Sequence, residues 1–359
     1  MCLHCHKVHE FHLLPSLAHK ISNMESKAVT FAKYNAPLEV TTINLPEELK
    51  PNKILIKVYS SSFNPLDYKR HEGKTKILIK DTFPAGICYD VAGEIVKVGS
   101  EVKNFTVGQR VCARSKAPGT LAEFCIVDDF VTAALPDNLS FVDGAALPLA
   151  GQTALQSLRA GNLKAGDSIF ISGGAGGVGT YAIQLAKHVF GASRVVVTCS
   201  GAKIEFCKSL GADECIDYTK VNPYTQKLGK FDMMFDTVGE AKKMGGEMIK
   251  PGGFVISVGA MPDPDSFKES TGKDVGFFLK LIFRFMSSSE RSAAHPGKYR
   301  YVWLNPNSKD LEELVGYLSE KKIVSCVDQV FEGLESAKEA FDRIKTGRAK
   351  GKVIVNVRS

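Results

Sequence analysis

Between residues 27 and 129 the apolar positions fall in short runs, at 28–31, 53–59, 91–98, 110–113 and 122–127, punctuated by Gly and Pro. Runs of that length, closely spaced and with no helical period between them, predict a small β-barrel. After Ser140 the pattern changes to apolar runs that alternate with stretches of 3.6-residue periodicity. It predicts helices at 151–158, 178–189, 203–210 and 240–249, and strands at 168–172, 194–198, 231–235 and 254–258. That alternation belongs to a parallel sheet covered by helices. Beyond Met261 the pattern is irregular before it predicts helices near 309–320 and 334–344 and a last strand at 352–357. The most apolar stretch, 275–286, carries the cations Lys280 and Arg284 and is too short to span a bilayer. It reads as a buried helix, a lid over a lipophilic substrate or a helix lying on a membrane. The first reading carries the most weight, because apolar stripes are usually core.

At 359 residues the chain exceeds the roughly 250–300 at which one hydrophobic core stops growing, so two domains are expected. With 44% hydrophobic and 24% charged residues it has the makeup of a soluble globular protein. Its net charge of +7 is spread among acids along the chain, which favours an anionic small ligand over nucleic acid. Nine cysteines at irregular spacings fit reduced thiols in an intracellular compartment, cytoplasmic in the first instance, with a mitochondrial or plastid association left open. The first 23 residues hold Cys2, Cys5, His9 and His12 but no periodic apolar pattern, and read as a disordered extension. A metal there has little support, because a zinc knuckle needs a fixed turn between its ligand pairs.

The strongest chemical signal is the run Ser172 to Gly179, in which Gly174, Gly176 and Gly179 fill the GxGxxG positions, with Gly177 and Val178 between them. It sits between a predicted strand and a predicted helix, the context that dinucleotide binding requires. Glycines let the backbone approach a pyrophosphate, and the helix start attracts its charge. The end of the next strand chooses the cofactor, since an acid there would accept from the ribose 2′-OH of NAD and repel a 2′-phosphate. Here Ser200 and Lys203 stand in its place, with Tyr218 at the end of the third strand, and NADPH is the expected cofactor.

These residues resemble the medium-chain dehydrogenase/reductase superfamily, and within it the zinc-independent quinone oxidoreductase branch. The resemblance runs over residues 24–357 and rests on motifs in the family's order: Asn64-Pro65-Leu66-Asp67-Tyr68, Asp90-Val91-Ala92-Gly93, Leu147-Pro148-Leu149-Ala150-Gly151-Gln152-Thr153, the glycine run, Ser209-Leu210-Gly211-Ala212 and Gly351-Lys352. It implies an α/β chain with a GroES-like barrel domain, residues 24–150 and about 300–359, and a Rossmann domain, 151–299. Where zinc alcohol dehydrogenases of the superfamily carry metal ligands this chain has Asn64, Tyr89-Asp90 and Leu149, which cannot build a soft tetrahedral site. The implied reaction is hydride transfer from NADPH to a quinone or an α,β-unsaturated carbonyl. By resemblance Asn64 would bond near the substrate oxygen and Asp67 would orient the loop; Tyr68 and Tyr89 are the remaining phenols that could donate a proton. Gln152 and Thr153 lie near the nicotinamide, Val238, Gly239, Gly259 and Ala260 line the groove, and Lys352 joins the cofactor site. A homodimer, with peripheral membrane association left open, completes the expectation. The rival readings are a zinc alcohol dehydrogenase and a non-catalytic NADPH-binding protein.

Overall fold

The computed structural model describes residues 24–76, 80–263, 265, 266, 268 and 276–358. The N-terminal segment, with its His and Cys residues, lies outside them.

The first half builds β1 (Glu25–Phe31), β2 (Glu39–Asn44), β3 (Lys53–Phe63), α1 (Pro65–His71), β4 (Ala85–Gly86), β5 (Asp90–Val98), β6 (Arg110–Arg114), β7 (Phe124–Asp128), β8 (Thr132–Ala134), α2 (Phe141–Ala146) and α3 (Pro148–Ala160). The second builds β9 (Ser168–Ser172), α4 (Gly177–Gln184), β10 (Arg194–Cys199), α5 (Ile204–Ser209), β11 (Glu214–Asp217), β12 (Phe231–Asp236), β13 (Ile249–Ser257), α6 (Phe277–Met286), α7 (Ser288–Ala294) and β14 (Lys298–Tyr301). The tail adds α8 (Ser308–Ser319), β15 (Val327–Glu332), α9 (Ala337–Lys345) and β16 (Lys352–Asn356).

Strands β11-β10-β9-β12-β13-β14 form one sheet in that order, every pair parallel. β9, β10 and β12 are buried along nearly their whole length, as central strands covered on both faces must be. In the barrel half, the eleven-residue β3 organises the pairing. One edge pairs with β5, while the other pairs with β7 over Lys53 to Lys57 and with β16 over Ser60 to Phe63. The C-terminal strand thus returns to the first half and sets Lys352 beside Asn64. A continuous apolar core runs from Ala92 and Cys112 through Leu147 and Ala154 to Ile169 and Phe235, so both halves share it. The seven cysteines of the described residues are free thiols, and no helix among those residues is long and apolar enough to cross a membrane.

Two expectations are corrected, and three strands are added. Residues 240–249 are not an α-helix: Gly245 and Gly246 take φ of 117° and 53°, leaving two short 3-10 turns at Ala241–Lys243 and Gly246–Met248. A Cβ at Gly245 would stand 2.1 Å from the Ala293 carbonyl oxygen, so α7 packs on bare backbone there. Strands β2, β14 and β15 escape the apolar pattern because each is half-exposed and mixes polar with apolar positions. The helix of the 275–286 stretch forms, but it is not core: of its ten residues only Phe283 is buried.

Candidate active site

In a sheet of this order the connections reverse between β9 and β12, and a crevice opens outside the C-terminal ends of those two strands. The glycine turn lies there. Gly173 takes φ 68°, its N–H donating to Thr198 Oγ1 at 3.0 Å, and Gly174 N donates to the Thr198 carbonyl at 2.9 Å. A Cβ at Gly179 would sit 2.2 Å from the Gly173 oxygen, and one at Gly174 would sit 2.8 Å from Val197 Cβ. Only glycine allows helix α4 to start this close to the strand. Gly176 caps that helix with no side-chain hydrogen bond, so the first N–H groups face the crevice unoccupied by the chain's own acceptors. A pyrophosphate fits that cradle.

The opposite wall is fixed by a buried carboxylate. Asp236 Oδ1 accepts from the N–H groups of Val238, Gly239 and Glu240 at 3.1, 2.9 and 2.9 Å, and Oδ2 accepts from Ala241 N and Ser257 Oγ. Ser257 Oγ in turn accepts from Gly259 N and Ala260 N. One acid therefore holds both later strand-end loops, and their backbones nearly touch: a Cβ at Gly259 would be 2.6 Å from Gly239 N.

From the barrel side a second buried network reaches the glycine turn. Gly351 N donates to the Ala175 carbonyl, and Gly351 bridges to Gly176 as a parallel pair. The next residue, Lys352, is 2% exposed and donates to Asn64 Oδ1 at 2.5 Å, Asp90 Oδ2 at 3.2 Å and the Phe63 carbonyl at 3.3 Å. Asp90 also accepts from Asn64 Nδ2 (2.9 Å), Ser62 Oγ (3.0 Å) and Leu149 N (2.9 Å). Asp67, the third residue of α1, accepts from Asn64 N at 2.7 Å and Cys88 N at 3.0 Å. Cys88 sits at φ 66°, a conformation costly for a residue with a Cβ, and it turns the chain into Tyr89. The Tyr89 ring is 2% exposed, the Arg114 guanidinium lies 4.8 Å from its centroid, and its buried hydroxyl has no hydrogen-bond partner.

Residues 50–137 match the family described as the alcohol dehydrogenase GroES-like domain, and residues 210–355 the family described as zinc-binding dehydrogenase. A 2-methylene-furan-3-one reductase of Solanum lycopersicum is 36% identical over 343 residues, covering 92% of this chain and 79% of the relative. The chain belongs to the medium-chain dehydrogenase/reductase superfamily. An NADPH-dependent alkenal/one oxidoreductase, chloroplastic, of Arabidopsis thaliana is also 36% identical, over 92% of this chain and 79% of its own length. The solved quinone oxidoreductase of Coxiella burnetii superposes with a TM-score of 0.78 at 29% identity, covering 93% of this chain and all of that one.

Within this superfamily member the sequence-predicted site residues divide. Gly174, Gly176, Gly177, Val178, Gly179, Val238, Gly239, Gly259 and Ala260 converge on the crevice, and Asn64, Asp67 and Lys352 meet beside it. Asn64, however, directs its amide N–H groups to Asp90 and, at 3.5 Å, the Ser62 carbonyl, and its oxygen accepts from Lys352, so it positions its neighbours. Tyr68 points elsewhere: its ring packs against the cluster of Val29, Phe63 and Phe341. Gln152 is wholly buried and bonds the Pro148 carbonyl and Asn307 N, a brace between α3 and the segment before α8. Thr153 lies one turn beyond Leu149 on the same helix and has no hydrogen-bond partner among the described residues. Lys203 places its ammonium on the Arg348 and Ala349 carbonyls at 2.9 and 3.1 Å, which leaves Ser200 and the 57%-exposed Tyr218 as the unengaged groups at the ends of β10 and β11. Partial burial lowers the Lys203 ammonium below the ordinary lysine range. Asp236 and Ser257, which hold the later strand-end loops, join the crevice residues. The signal for Asp236 was a polar residue closing an apolar run at a strand end.

Where zinc ligands would stand, Leu149 contributes only a backbone N–H, and among the described residues no group of three His, Cys, Asp or Glu side chains is arranged to hold a metal ion.

Burial raises the Asp67 carboxyl from 3.8 to about 7, with the nearby Asp90 charge adding to it, against the Asn64 N–H, Lys352 and Arg70. Between those two values an unfolded chain releases the proton while the folded one keeps it. Asp67 therefore lowers stability as pH rises from about 4 to about 7, and the full penalty is present above that. Asp67→Asn is expected to flatten this part of the stability profile, measured by urea unfolding at about pH 5 and about pH 8. An unchanged slope would mean that the carboxyl is ionised throughout in the folded protein.

Proposed function

We propose that hydride transfer takes place where the glycine turn, the Asp236-held loops and the Tyr89 hydroxyl converge, and that the acceptor is a quinone or an α,β-unsaturated carbonyl. The chain is an NADPH-dependent oxidoreductase, like the alkenal/one oxidoreductase it resembles over 92% of its length. When bound, NADPH supplies a hydride from nicotinamide C4. The α4 N-terminus and its glycines would hold the pyrophosphate, and Ser200 and Tyr218 the 2′-phosphate. The observation that carries the reading is the buried, unpartnered hydroxyl of Tyr89, the residue before Asp90. An enone or quinone that gains hydride at carbon develops negative charge on its oxygen, and a preorganised donor in a dry site stabilises that charge. Burial pushes the Tyr89 phenol up to about 12, so it remains a donor at any working pH. The Asn64-Asp90-Lys352 network fixes the strand that begins at the next residue, and solvent supplies the proton that completes the saturated carbonyl or the hydroquinone.

The domain division follows the same reading: the barrel half, with β15 and β16, would carry the acceptor side, and the parallel sheet the cofactor. The outer edge of β14 is unpaired among the described residues, and we assign it the homodimer contact. The free thiols suit a reducing, cytoplasmic setting.

The test is loss of nicotinamide absorbance with 1,2-naphthoquinone and a medium-chain enone offered separately, and NADH as control. Turnover with NADPH and little with NADH supports the reading, whereas tight NADPH binding without turnover across acceptors would favour a binding role. Tyr89→Phe is expected to lower kcat about 10- to 100-fold with little change in melting temperature, since the hydroxyl it removes makes no bond in the free protein. Ser200→Ala with Tyr218→Phe is expected to raise the KM for NADPH about tenfold and leave that for NADH unmoved, because hydrogen bonds to a charged phosphate are the strong ones.

A further inference from the structure

Helix α6 turns its apolar side outward. Phe277, Phe278, Leu281, Ile282, Phe285 and Met286 are 72, 81, 50, 51, 82 and 45% exposed, while the inward positions are Phe283 and, just past the helix end, Ser287 and Glu290. Of the large hydrophobic side chains exposed on the described residues, these six fall within ten consecutive positions. A free surface of that kind is costly in water, which argues that something apolar covers it.

Three features select the cover. The helix is ten residues long, about 15 Å, which suits a segment lying in the plane of a membrane and not crossing it. Its outward face is rich in phenylalanine, a side chain favoured at the apolar boundary of such helices. Its charged residues, Lys280 and Arg284, are both cations, Arg291 follows within a turn of α7, and of the acids flanking the helix Asp274 lies outside the described residues while Glu290 is 5% exposed and turned inward. A second copy docked face to face would set Arg284 and Arg291 against themselves across a two-fold axis. Anionic headgroups neutralise them.

We propose that α6 docks this protein onto an anionic lipid surface, with its phenylalanines in the headgroup–acyl boundary and Arg284 among the phosphates. The full-length protein is expected to sediment with vesicles of phosphatidylcholine containing about 30% phosphatidylglycerol, and much less with phosphatidylcholine alone or at high salt. Phe278→Ser with Phe285→Ser is expected to lower the partition coefficient about 100-fold, since each side chain removed forfeits the burial of one aromatic ring. It should leave the thermal melt and NADPH oxidation with a water-soluble quinone intact. Wild-type protein that stays in the supernatant overturns the proposal, as does a variant that sediments like wild type. A variant that changes oligomeric state in light scattering, with no vesicle binding by wild type, would identify a second copy as the cover and overturn it equally.

Discussion

Lys352→Met is expected to cost about 3–5 kcal/mol of stability, a large share of the 5–15 kcal/mol that domains of this kind possess. Methionine fills nearly the same volume, so the effect isolates the charge. Without the ammonium, Asp90 stays buried with Ser62, Asn64 and Leu149 as donors but loses the cation bonded to it, and Asn64 Oδ1 and the Phe63 carbonyl lose their common donor. Removing one partner of a buried pair is expensive because the other remains in a low-dielectric site. Removing both is not: Lys352→Met with Asp90→Asn should recover most of the loss, as urea unfolding of the single and double variants would show. Equal losses in single and double variants would mean that packing, and not charge pairing, gives Lys352 its value.

The glycine turn and its strand–helix frame were legible in the sequence, because a motif that needs no side chain is fixed by local geometry alone. Its conformational demands appear directly in the positive φ of Gly173 and the closeness of Gly179 to the Gly173 carbonyl. What the sequence concealed depends on partners far along the chain. Lys203 reads as a phosphate ligand until its ammonium is found on carbonyls 145 and 146 residues away. Gln152 reads as a cofactor contact until it is found holding Asn307 N, 155 residues on. Tyr68 and Tyr89 are equal candidates as phenols. The fold separates them, since Tyr68 joins an apolar cluster while the αL turn at Cys88 leaves Tyr89 beside Asp90 with its hydroxyl unspent. The same limit applies to α6, whose apolar run fixes a helix but not the side it presents to the rest of the molecule. Only the burial of Phe283 alone among its ten residues shows that.

Gly179→Ala is the substitution expected to damage cofactor binding most. Alanine in a helix interior gains up to about 1 kcal/mol over glycine through backbone entropy alone, so a mere helix position would be stabilised. Here the added Cβ meets the Gly173 oxygen at 2.2 Å and two backbone atoms of Gly174 at 2.8 Å. These are backbone atoms that no rotamer change can clear, so α4 must move away from the β9 end by about 1 Å to restore ordinary contact. A shift of that size pulls the helix N–H groups off the pyrophosphate, and a misplacement of about 1 Å is worth on the order of 100-fold. The NADPH dissociation constant, read from nicotinamide fluorescence, is therefore expected to rise about 100-fold, with NADH weakened in the same proportion because both share the pyrophosphate. Gly177→Ala provides the contrast: its Cβ would meet the Lys352 side chain, 3.1 Å away at Cδ, and the Gly351 oxygen at 3.7 Å, contacts relieved by a shift of a few tenths of an ångström. It should weaken binding far less. Equal losses at the two positions would show that the turn tolerates neither side chain for a reason other than the close approach of α4 to β9.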